Sequence, residues 1–316
     1  MMIQDSYTVK DKDVILSKLI LGSSDYLKLD NMEKVDRMFT QYVEEGGRTF
    51  DTARHYRESE AVIGHWLKDK KRDDYTIITK GCHPVREAPR IPRVNPESIL
   101  TDLTISLEML GTDYVDVLLL HRDDRNQPVG PLMETLSKLV DENKIRSFGV
   151  SNWELPRIIE AKEYCENHEL NPLSFNSPNF SLAKVNQPRW ENCVTADDRM
   201  VTWHEKTNFP LISWSAQAEA FFGNRFRPED VTNPTMAEFV TVYFNDLNWK
   251  RLRICEELAK EKGVKPIQIS LAYVLNQSFP SYATIGPEED WQLFDSIEAM
   301  KIQLSDEEIM HLKKGE

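Results

Sequence analysis

One stretch of the sequence decides the fold: YVDVLLLHRDDRNQPVGPLMETLSKLVDENKIRSFGVSN, residues 114–152. It begins with a near-continuous apolar run, 114–121, continues with apolar residues at helical spacing, 129–144, and ends with a second apolar run, 145–152. Apolar runs without the alternation of a half-exposed strand are typical of parallel strands buried on both faces. The stretch therefore predicts a strand, a helix and a second strand of a parallel sheet.

The same alternation of strand and helix recurs along the chain. It predicts eight units, with strands at 18–24, 48–53, 75–81, 114–121, 145–152, 172–178, 210–216 and 281–287, and helices at 31–46, 58–69, 95–111, 129–144, 154–168, 197–207, 247–263 and 289–300. Eight such units in roughly 300 residues favour a closed (β/α)8 (TIM) barrel of the α/β class over an open sheet. We expect residues 1–316 to form one barrel domain.

Four segments fall outside these units. Residues 7–16 are predicted to form a hairpin at the barrel floor, and 265–278 and 304–315 are predicted to be extra helices. Residues 217–246 form a long insertion after the seventh strand, and long loops in compact domains often carry function.

The composition limits the possible functions. The chain is 40% hydrophobic and 29% charged, with a formal net charge of −13. This acidity disfavours a nucleic-acid-binding surface and an anionic membrane surface. Cys82, Cys165, Cys193 and Cys255 lack metal-ligand spacing, which favours the reduced thiols of a cytoplasmic protein. Residues 1–14 contain no apolar signal segment, and no apolar run approaches the roughly 18 residues that a membrane helix needs.

Four side chains that can handle protons fall at or just after the ends of neighbouring predicted strands: Asp51, Tyr56, Lys80 and His121. In barrels of this class, chemistry takes place at the C-terminal ends of the strands. Each residue also has a structural interpretation. Asp51 would be a helix N-cap, Lys80 an exposed cation, His121 a satisfied polar strand end and Tyr56 a packing residue. Their coincidence at adjacent strand ends favours a catalytic site.

Five stretches carry a family resemblance: GGRTFDTARHYRESEAVIG (46–64), TIITKG (76–81), LGTDYVDVLLLHR (110–122), IRSFGVSNW (145–153) and ATIGPEEDWQLFDS (283–296). Over nearly its whole length the chain resembles the aldo-keto reductases. The family's catalytic Asp, Tyr, Lys and His match Asp51, Tyr56, Lys80 and His121. The resemblance implies an oxidoreductase that transfers a hydride between NADP(H) or NAD(H) and a small carbonyl or alcohol substrate.

The chemistry explains why these residue types are needed. Hydride transfer to a carbonyl leaves negative charge on its oxygen, so a proton donor must lie there. Tyr56 would be that donor, but free tyrosine, with a pKa of about 10, is a poor acid at neutral pH. The Lys80 ammonium would lower this pKa, and Asp51 would keep Lys80 charged and oriented. His121 would polarise the carbonyl, and Tyr56 would be the base for alcohol oxidation. No metal is required, and no metal-ligand spacing is visible.

The resemblance also implies cofactor-binding residues. Ser151 and Asn152 match the pair that holds the nicotinamide carboxamide, and Trp214 matches the aromatic residue that stacks on the nicotinamide ring. The structural alternatives are a helix cap for the pair and core packing for Trp214. The predicted set is Gly22, Ser23, Asp51, Ser151, Asn152, Ser177, Trp214, Ser215, Gln217, Arg225, Gly286, Glu288, Glu289, Gln292 and Ser296.

Two stretches depart from the family pattern. Many members have a glycine- and base-containing stretch after the seventh strand, but this chain has SAQAEAFFGNRF (215–226), in which Arg225 is the nearest cation. Members commonly carry Lys or Arg after the eighth strand for the adenosine 2′-phosphate, whereas GPEEDWQL (286–293) carries Glu288 and Glu289. A carboxylate would repel that phosphate but accept a hydrogen bond from a free 2′-hydroxyl. The alternative is that these acids form the favourable first turn of the last helix. We expect a relaxed or NADH-leaning preference.

The substrate-binding residues are expected in the loops. The candidates are Tyr26, His55 and Trp153, together with the segments 82–95 and 122–127 and the long insertion. They do not distinguish an aldehyde, a ketone or a sugar, and the oligomeric state stays open.

Two other functions compete with the reductase. One is a cofactor-binding regulatory or sensor subunit of the same fold with weak or no turnover, against which the complete tetrad argues. The other is a barrel enzyme in which Lys80 forms a Schiff base, which the adjacent Asp51 and Tyr56 disfavour.

Overall fold

The computed structural model describes residues 4–9 and 12–316. Its strands are β1 (Gln4–Val9), β2 (Lys12–Ser17), β3 (Leu19–Gly22), β4 (Thr49–Asp51), β5 (Thr76–Gly81), β6 (Val115–Leu120), β7 (Ile145–Ser151), β8 (Leu173–Ser177), β9 (Leu211–Ser213) and β10 (Ser281–Ile285). Strands β3 to β10 close a barrel in the order β10-β3-β4-β5-β6-β7-β8-β9. Every residue of β5 and β6 is buried. The predicted (β/α)8 barrel is confirmed.

The helices alternate with the barrel strands as predicted. They are α1 (Met32–Glu44), α2 (Ser59–Leu67), α3 (Pro96–Leu110), α4 (Val129–Asp141), α5 (Leu155–Asn167), α6 (Asp198–Thr207), α7 (Ala237–Tyr243), α8 (Asp246–Lys262), α9 (Pro266–Leu275), α10 (Asp290–Ala299) and α11 (Asp306–Lys314). The extra helices predicted near the C-terminus are α9 and α11. Within the described ranges, no helix has the length and apolar character needed to cross a membrane.

The ends of α3 show how local sequence fixes a boundary. The Asn95 side chain accepts a hydrogen bond from the backbone N–H of Ser98 at 2.9 Å, and Pro96 occupies the first turn. The helix stops at Gly111, whose φ of 61° lies in the left-handed region. An Asn cap, an early proline and a terminal glycine are the usual signals of a helix start and stop.

The predicted N-terminal hairpin is present. β1 and β2 pair antiparallel from Gln4↔Ser17 to Val9↔Lys12, while residues 10 and 11 lie outside the described residues. The backbone N–H of Ser17 donates to Thr49 Oγ1 at 2.9 Å, and Thr76 Oγ1 donates to the Ile15 carbonyl at 2.6 Å. Thr49 and Thr76 begin β4 and β5, so β2 lies at the opposite ends of these strands from Asp51 and Lys80.

A close backbone approach aligns the ends of β7 and β8. A Cβ atom on Gly149 would lie 2.4 Å from the Phe175 carbonyl oxygen, so only glycine fits there. The register shifts between Phe148 and Gly149, after which Ser151 pairs with Ser177. The approach therefore sets two predicted cofactor residues opposite each other.

The chain divides into two compact units, Met1–Ser177 and Pro178–Glu316. The single-domain organisation of residues 1–316 stays a prediction. In the second unit, the predicted insertion 217–246 contains the short helix α7, which the sequence did not predict. An aromatic cluster orders this segment: the Phe221 ring lies 4.8 Å from Trp249, which lies 5.0 Å from Phe244.

The four cysteines are buried free thiols, in agreement with their spacing. Burial raises the pKa of Cys82 to about 12 and that of Cys165 to about 11. Thiols with such pKa values are protonated at neutral pH and are poor nucleophiles.

Candidate active site

The predicted catalytic residues lie at three aligned strand ends. Asp51 is the last residue of β4, Lys80 lies next to the end of β5, and His121 directly follows β6. The backbone N–H of His121 donates to the Gly81 carbonyl at 2.9 Å, which extends the ladder between β5 and β6. Asp51, Lys80 and His121 are 5%, 3% and 5% exposed. Lys80 is therefore not the solvent-exposed cation of the structural interpretation.

Lys80 and Asp51 form a buried ion pair. Lys80 Nζ donates to Asp51 Oδ1 at 2.7 Å, to Asp51 Oδ2 at 2.5 Å and to the Thr52 carbonyl at 3.0 Å. Burial lowers the pKa of Lys80, but the Asp51 carboxylate and the Tyr56 phenol oppose it, and the pKa lies above its ordinary value. Burial has the opposite effect on Asp51: it raises the pKa of the carboxyl, and the Lys80 ammonium opposes that rise. We assign the charged pair, because short charge-assisted hydrogen bonds connect the two groups.

Tyr56 lies beside this pair. The loop after β4 turns where the Tyr56 N–H donates to the Ala53 carbonyl at 2.9 Å. Lys80 Nζ is 5.2 Å from the centroid of the Tyr56 ring. The centroids of the Tyr56 and His121 rings are 5.6 Å apart, with their planes at 82°. The phenol, the ammonium and the imidazole are thus gathered at one end of the barrel strands.

His121 is held neutral. Burial, then the charges of Arg122 and Lys80, lower its pKa well below the ordinary value. Its buried Nδ1 atom has no hydrogen-bond partner among the described residues. A neutral imidazole with an unused ring nitrogen is able to hydrogen-bond a ligand oxygen.

Two further histidines surround His121. The His55 and His83 rings are stacked with centroids 3.7 Å apart, and the centroid of His83 is 4.8 Å from that of His121. Burial lowers the pKa of His83 to about 4, so this ring is also neutral at neutral pH. The sequence interpretation included His83 only as part of segment 82–95. The signal that could have singled it out is its position just after Lys80 and Gly81.

Ser151, Asn152 and Ser177 form a hydrogen-bonded group in the first unit. Ser151 Oγ donates to the Ser177 carbonyl at 2.7 Å and accepts from Asn152 Nδ2 at 3.1 Å. Asn152 Nδ2 also lies 3.2 Å from the His121 carbonyl, and Asn152 has a left-handed φ of 62°. This hydrogen bond holds the Asn152 amide against the backbone of His121.

Three other predicted residues, Gly22, Ser23 and Tyr26, lie at or just after the end of β3. The Ser23 N–H donates to the Asp51 carbonyl at 3.0 Å. Ser23 Oγ is buried and has no hydrogen-bond partner in the described part of the chain. The Tyr26 hydroxyl donates to the Gly22 carbonyl.

Trp214 lies in the second unit just after β9. Its indole Nε1 is buried and has no hydrogen-bond partner within residues 4–9 and 12–316. Its ring lies 5.8 Å from that of Trp190, which is 46% exposed. Nearby, Gln217 Nε2 lies 3.5 Å from Ser296 Oγ. Three predicted cofactor residues of this unit therefore present polar atoms or aromatic surface.

The stretch after β9 adopts left-handed backbone without glycine. Ala218, Glu219 and Ala220 have φ of 47°, 54° and 61°, and Ser215 has 50°. Such conformations favour glycine, yet this chain has none at these four positions. Arg225 Nη1 donates to the Glu219 carbonyl at 3.0 Å, so the nearest predicted cation is held by its own loop.

The acidic stretch after β10 caps a helix. The backbone N–H groups of Glu288 and Glu289 donate to Gln292 Oε1 at 2.7 and 3.0 Å. Gly286, Glu288 and Glu289 are exposed, and Asp290 lies in the first turn of α10. These hydrogen bonds belong to the start of α10, the position that the alternative interpretation gives to these acids.

The sequence matches the aldo/keto reductase family over residues 18–315. The chain belongs to this family. It is 27% identical to norsolorinic acid reductase B of Aspergillus parasiticus, over 85% of this chain and 70% of that protein. It is 24% identical to an aryl-alcohol dehydrogenase of Pestalotiopsis microspora, over 85% of this chain and 69% of that protein. Among solved structures, the thermostable aldo-keto reductase Tm1743, in complex with the inhibitor epalrestat, has a similar fold, with a TM-score of 0.74, 21% identity and coverage of 99% of this chain and 100% of that one.

In this aldo-keto reductase, Trp153 presents no surface to a ligand. It is 0% exposed, and its Nε1 atom donates to the Arg122 carbonyl at 3.0 Å. The guanidinium of Arg157 lies 5.0 Å from the ring centroid. Trp153 was predicted to contact the substrate, but its burial gives it a supporting position beneath Arg122.

Proposed function

We propose that this aldo-keto reductase reduces an aldehyde or ketone to the alcohol, and catalyses the reverse oxidation, with Tyr56 as general acid and base. The observation that carries the proposal is the buried Lys80–Asp51 ion pair, whose ammonium lies 5.2 Å from the Tyr56 ring centroid. An ammonium near a phenol favours the phenolate and so makes the phenol a better acid. The names of the relatives, aryl-alcohol dehydrogenase and norsolorinic acid reductase, favour an aromatic carbonyl or alcohol.

Each residue has one role in this proposal. Tyr56 gives a proton to the carbonyl oxygen as negative charge develops there. Lys80 stabilises the resulting phenolate, and Asp51 keeps Lys80 charged and oriented. Neutral His121 donates a hydrogen bond to the carbonyl oxygen and positions the carbonyl. His55 and His83 pack around His121 and exclude water from it.

The nicotinamide cofactor supplies or accepts the hydride when it is bound. The residues present fit such a group. In the first unit, Ser151, Asn152 and Ser177 form a fixed polar group, and the buried Ser23 Oγ has no hydrogen-bond partner among the residues that the structure describes. In the second unit, the indole N–H of Trp214 likewise has no partner in the described ranges. We propose that the first group holds the carboxamide and that Trp214 stacks on the ring.

The proposal is tested by mixing the protein with NADPH or NADH and a panel of aromatic aldehydes, and following the loss of reduced cofactor. Turnover that depends on both components supports the reductase. Cofactor binding without turnover of any aldehyde would favour the regulatory-subunit alternative. A borohydride-trapped adduct on Lys80 would favour the Schiff-base alternative.

Cofactor binding should quench indole fluorescence through Trp214. Stacking of a base on an aromatic ring contributes about 1–3 kcal/mol, so Trp214→Ala should raise the Kd by roughly five- to 150-fold. Because Trp190 lies 5.8 Å away, Trp190→Phe is the matched control. It should keep the Kd within about threefold of the wild-type value. Undiminished quenching in Trp214→Ala would return Trp214 to core packing.

We expect the enzyme to use NADH at least as well as NADPH. The basic residues around α10 already have carboxylate partners: Lys265 pairs with Asp295 at 2.7 Å, Lys301 with Glu298 at 2.5 Å and Lys262 with Glu308 at 2.6 Å. A 2′-phosphate would have to displace one of them, and exposed Glu288 and Glu289 would add repulsion. The measurement is the ratio of kcat/KM for the two cofactors with one aldehyde.

Variants separate the two interpretations of the acidic stretch. Glu288→Arg and Glu289→Arg should each shift the ratio toward NADPH if these carboxylates face the ribose, and should leave it unchanged if they only begin the helix. A wild-type preference for NADPH above about a hundredfold, which is roughly 2.7 kcal/mol, would mean that another cation binds the phosphate.

A further inference from the structure

Arg122 follows the catalytic histidine and is held firmly in place. Its Nη1 atom donates to the carbonyl of His121 at 2.9 Å, and the side chain is half-buried. Asn152 Nδ2 donates to the His121 carbonyl at 3.2 Å, and Trp153 Nε1 donates to the Arg122 carbonyl at 3.0 Å. Two side chains from the next loop thus brace the backbone that carries Arg122.

The acidic residues near Arg122 form hydrogen bonds or ion pairs with other groups. Both Asp123 oxygens accept from Arg157 at 3.3 Å. Asp124 Oδ1 accepts from the backbone and the side chain of Asn126 at 3.0 and 3.1 Å. Glu154 pairs with Arg125. Across the ranges that the structure describes, Arg122 itself forms no ion pair, although its neighbours Arg125 and Arg157 both do.

The charge of Arg122 acts on the catalytic group. Burial is the main cause that lowers the pKa of His121, and the charge of Arg122 is the next largest. The same charge also acts to lower the pKa of Lys80. The nearby rings of His55 and His83 add no compensating negative charge. A half-buried guanidinium without a counter-charge is unfavourable, and most of its five N–H donors remain available.

We propose that Arg122 binds a carboxylate of the substrate, so that the enzyme acts on carbonyl compounds that carry a carboxylate group. This inference rests on the proposed reductase function. The planar fork of one guanidinium matches the two oxygens of one carboxylate. The net charge of −13 repels anions in general, so an anion would be admitted only where a local cation compensates it. Arg122 stands next to His121, so a bound carboxylate would fix the orientation of the carbonyl relative to Tyr56.

The test compares two substrates that differ in charge, 4-carboxybenzaldehyde and methyl 4-formylbenzoate. The measured quantity is the ratio of their kcat/KM values. The wild type should prefer the acid, and Arg122→Gln should lower the ratio by at least about tenfold, the size expected for a hydrogen-bonded charge pair. Arg122→Lys keeps the charge without the fork and should give an intermediate ratio. Arg125→Gln, which removes a neighbouring exposed arginine, should leave the ratio within about twofold.

The outcomes separate this inference from the reductase proposal. Binding of terephthalate, measured by calorimetry with NAD⁺ or NADP⁺ present, gives a readout without turnover. If the wild type turns over neither aldehyde but binds terephthalate, and Arg122→Gln loses that binding, the carboxylate site is supported and the reductase is overturned. If the aldehydes are turned over but the ratio of their kcat/KM values changes less than about threefold in both Arg122→Gln and Arg122→Lys, the reductase is supported and the inference is overturned. Absence of both turnover and terephthalate binding would overturn both.

Discussion

The Tyr56→Phe variant should reduce a good aldehyde substrate about 10²–10⁴-fold more slowly than the wild type, the usual contribution of a positioned general acid. Only the phenolic hydroxyl, which carries the transferable proton, is removed, and the ring that packs 5.6 Å from His121 remains. Both kcat and kcat/KM should fall together, because the proton is transferred only in the transition state. Steady-state kinetics with a saturating cofactor measures the effect, and fluorescence titration should show that the cofactor still binds.

A second tyrosine provides the control. The Tyr164 hydroxyl donates to Glu134 at 2.6 Å on the outer helices α4 and α5. Tyr164→Phe removes the same atom from a surface position and should keep wild-type kinetics. If Tyr56→Phe keeps turnover within about threefold of the wild type, another group supplies the proton and the role of Tyr56 is wrong.

The fold could be predicted from the sequence because its elements have strong local signals. Buried parallel strands such as β5 and β6 have no polar face to interrupt the apolar run, so their bounds are readable to within a few residues. Helix α7 was missed because its sequence, AEFVTVY, is short and β-branched, and its order comes from the aromatic cluster of the insertion. The left-handed backbone at Glu219 and Ala220 was also hidden, because neither residue type signals it.

The residues of the site could be predicted from the sequence, but the ion pairs and hydrogen bonds between them could not. Strand ends place Asp51, Lys80 and His121 together, because parallel strands of a barrel end on one face. The sequence does not show which arginine of segment 122–127 forms an ion pair with a carboxylate. Arg125 and Arg122 look equivalent in HRDDRNQ, yet of the two only Arg125 forms an ion pair within the described residues, with Glu154 from the following loop. Trp153 was predicted to lie in the substrate site because the local sequence does not show that its side chain is buried. Its burial depends on packing against other segments of the chain.

The Lys80→Met variant should lose turnover and stability together. Removing the ammonium leaves the Asp51 carboxylate 5% exposed and without its cation. Breaking a buried pair on one side typically costs about 3–5 kcal/mol. Burial already raises the pKa of Asp51, and without Lys80 nothing opposes that rise. A carboxyl whose pKa is higher in the folded state than in the unfolded state loses stability as the pH rises. Denaturant unfolding should therefore show a larger loss at pH 8 than at pH 5.

The Asp51→Asn/Lys80→Met double variant separates the charge from the fold. It removes both buried charges, so it should recover most of the stability and lose the added pH dependence, since replacing a whole buried pair by neutral groups is often close to neutral. Turnover should stay as low as in Lys80→Met, because the charge that stabilises the phenolate is still missing. Recovery of turnover along with stability would show that Lys80 serves the fold alone, and the acidity of Tyr56 would then need another source. A double variant that remains as unstable as Lys80→Met would instead show that packing around the aliphatic chain of Lys80, rather than the unpaired carboxylate, sets the loss.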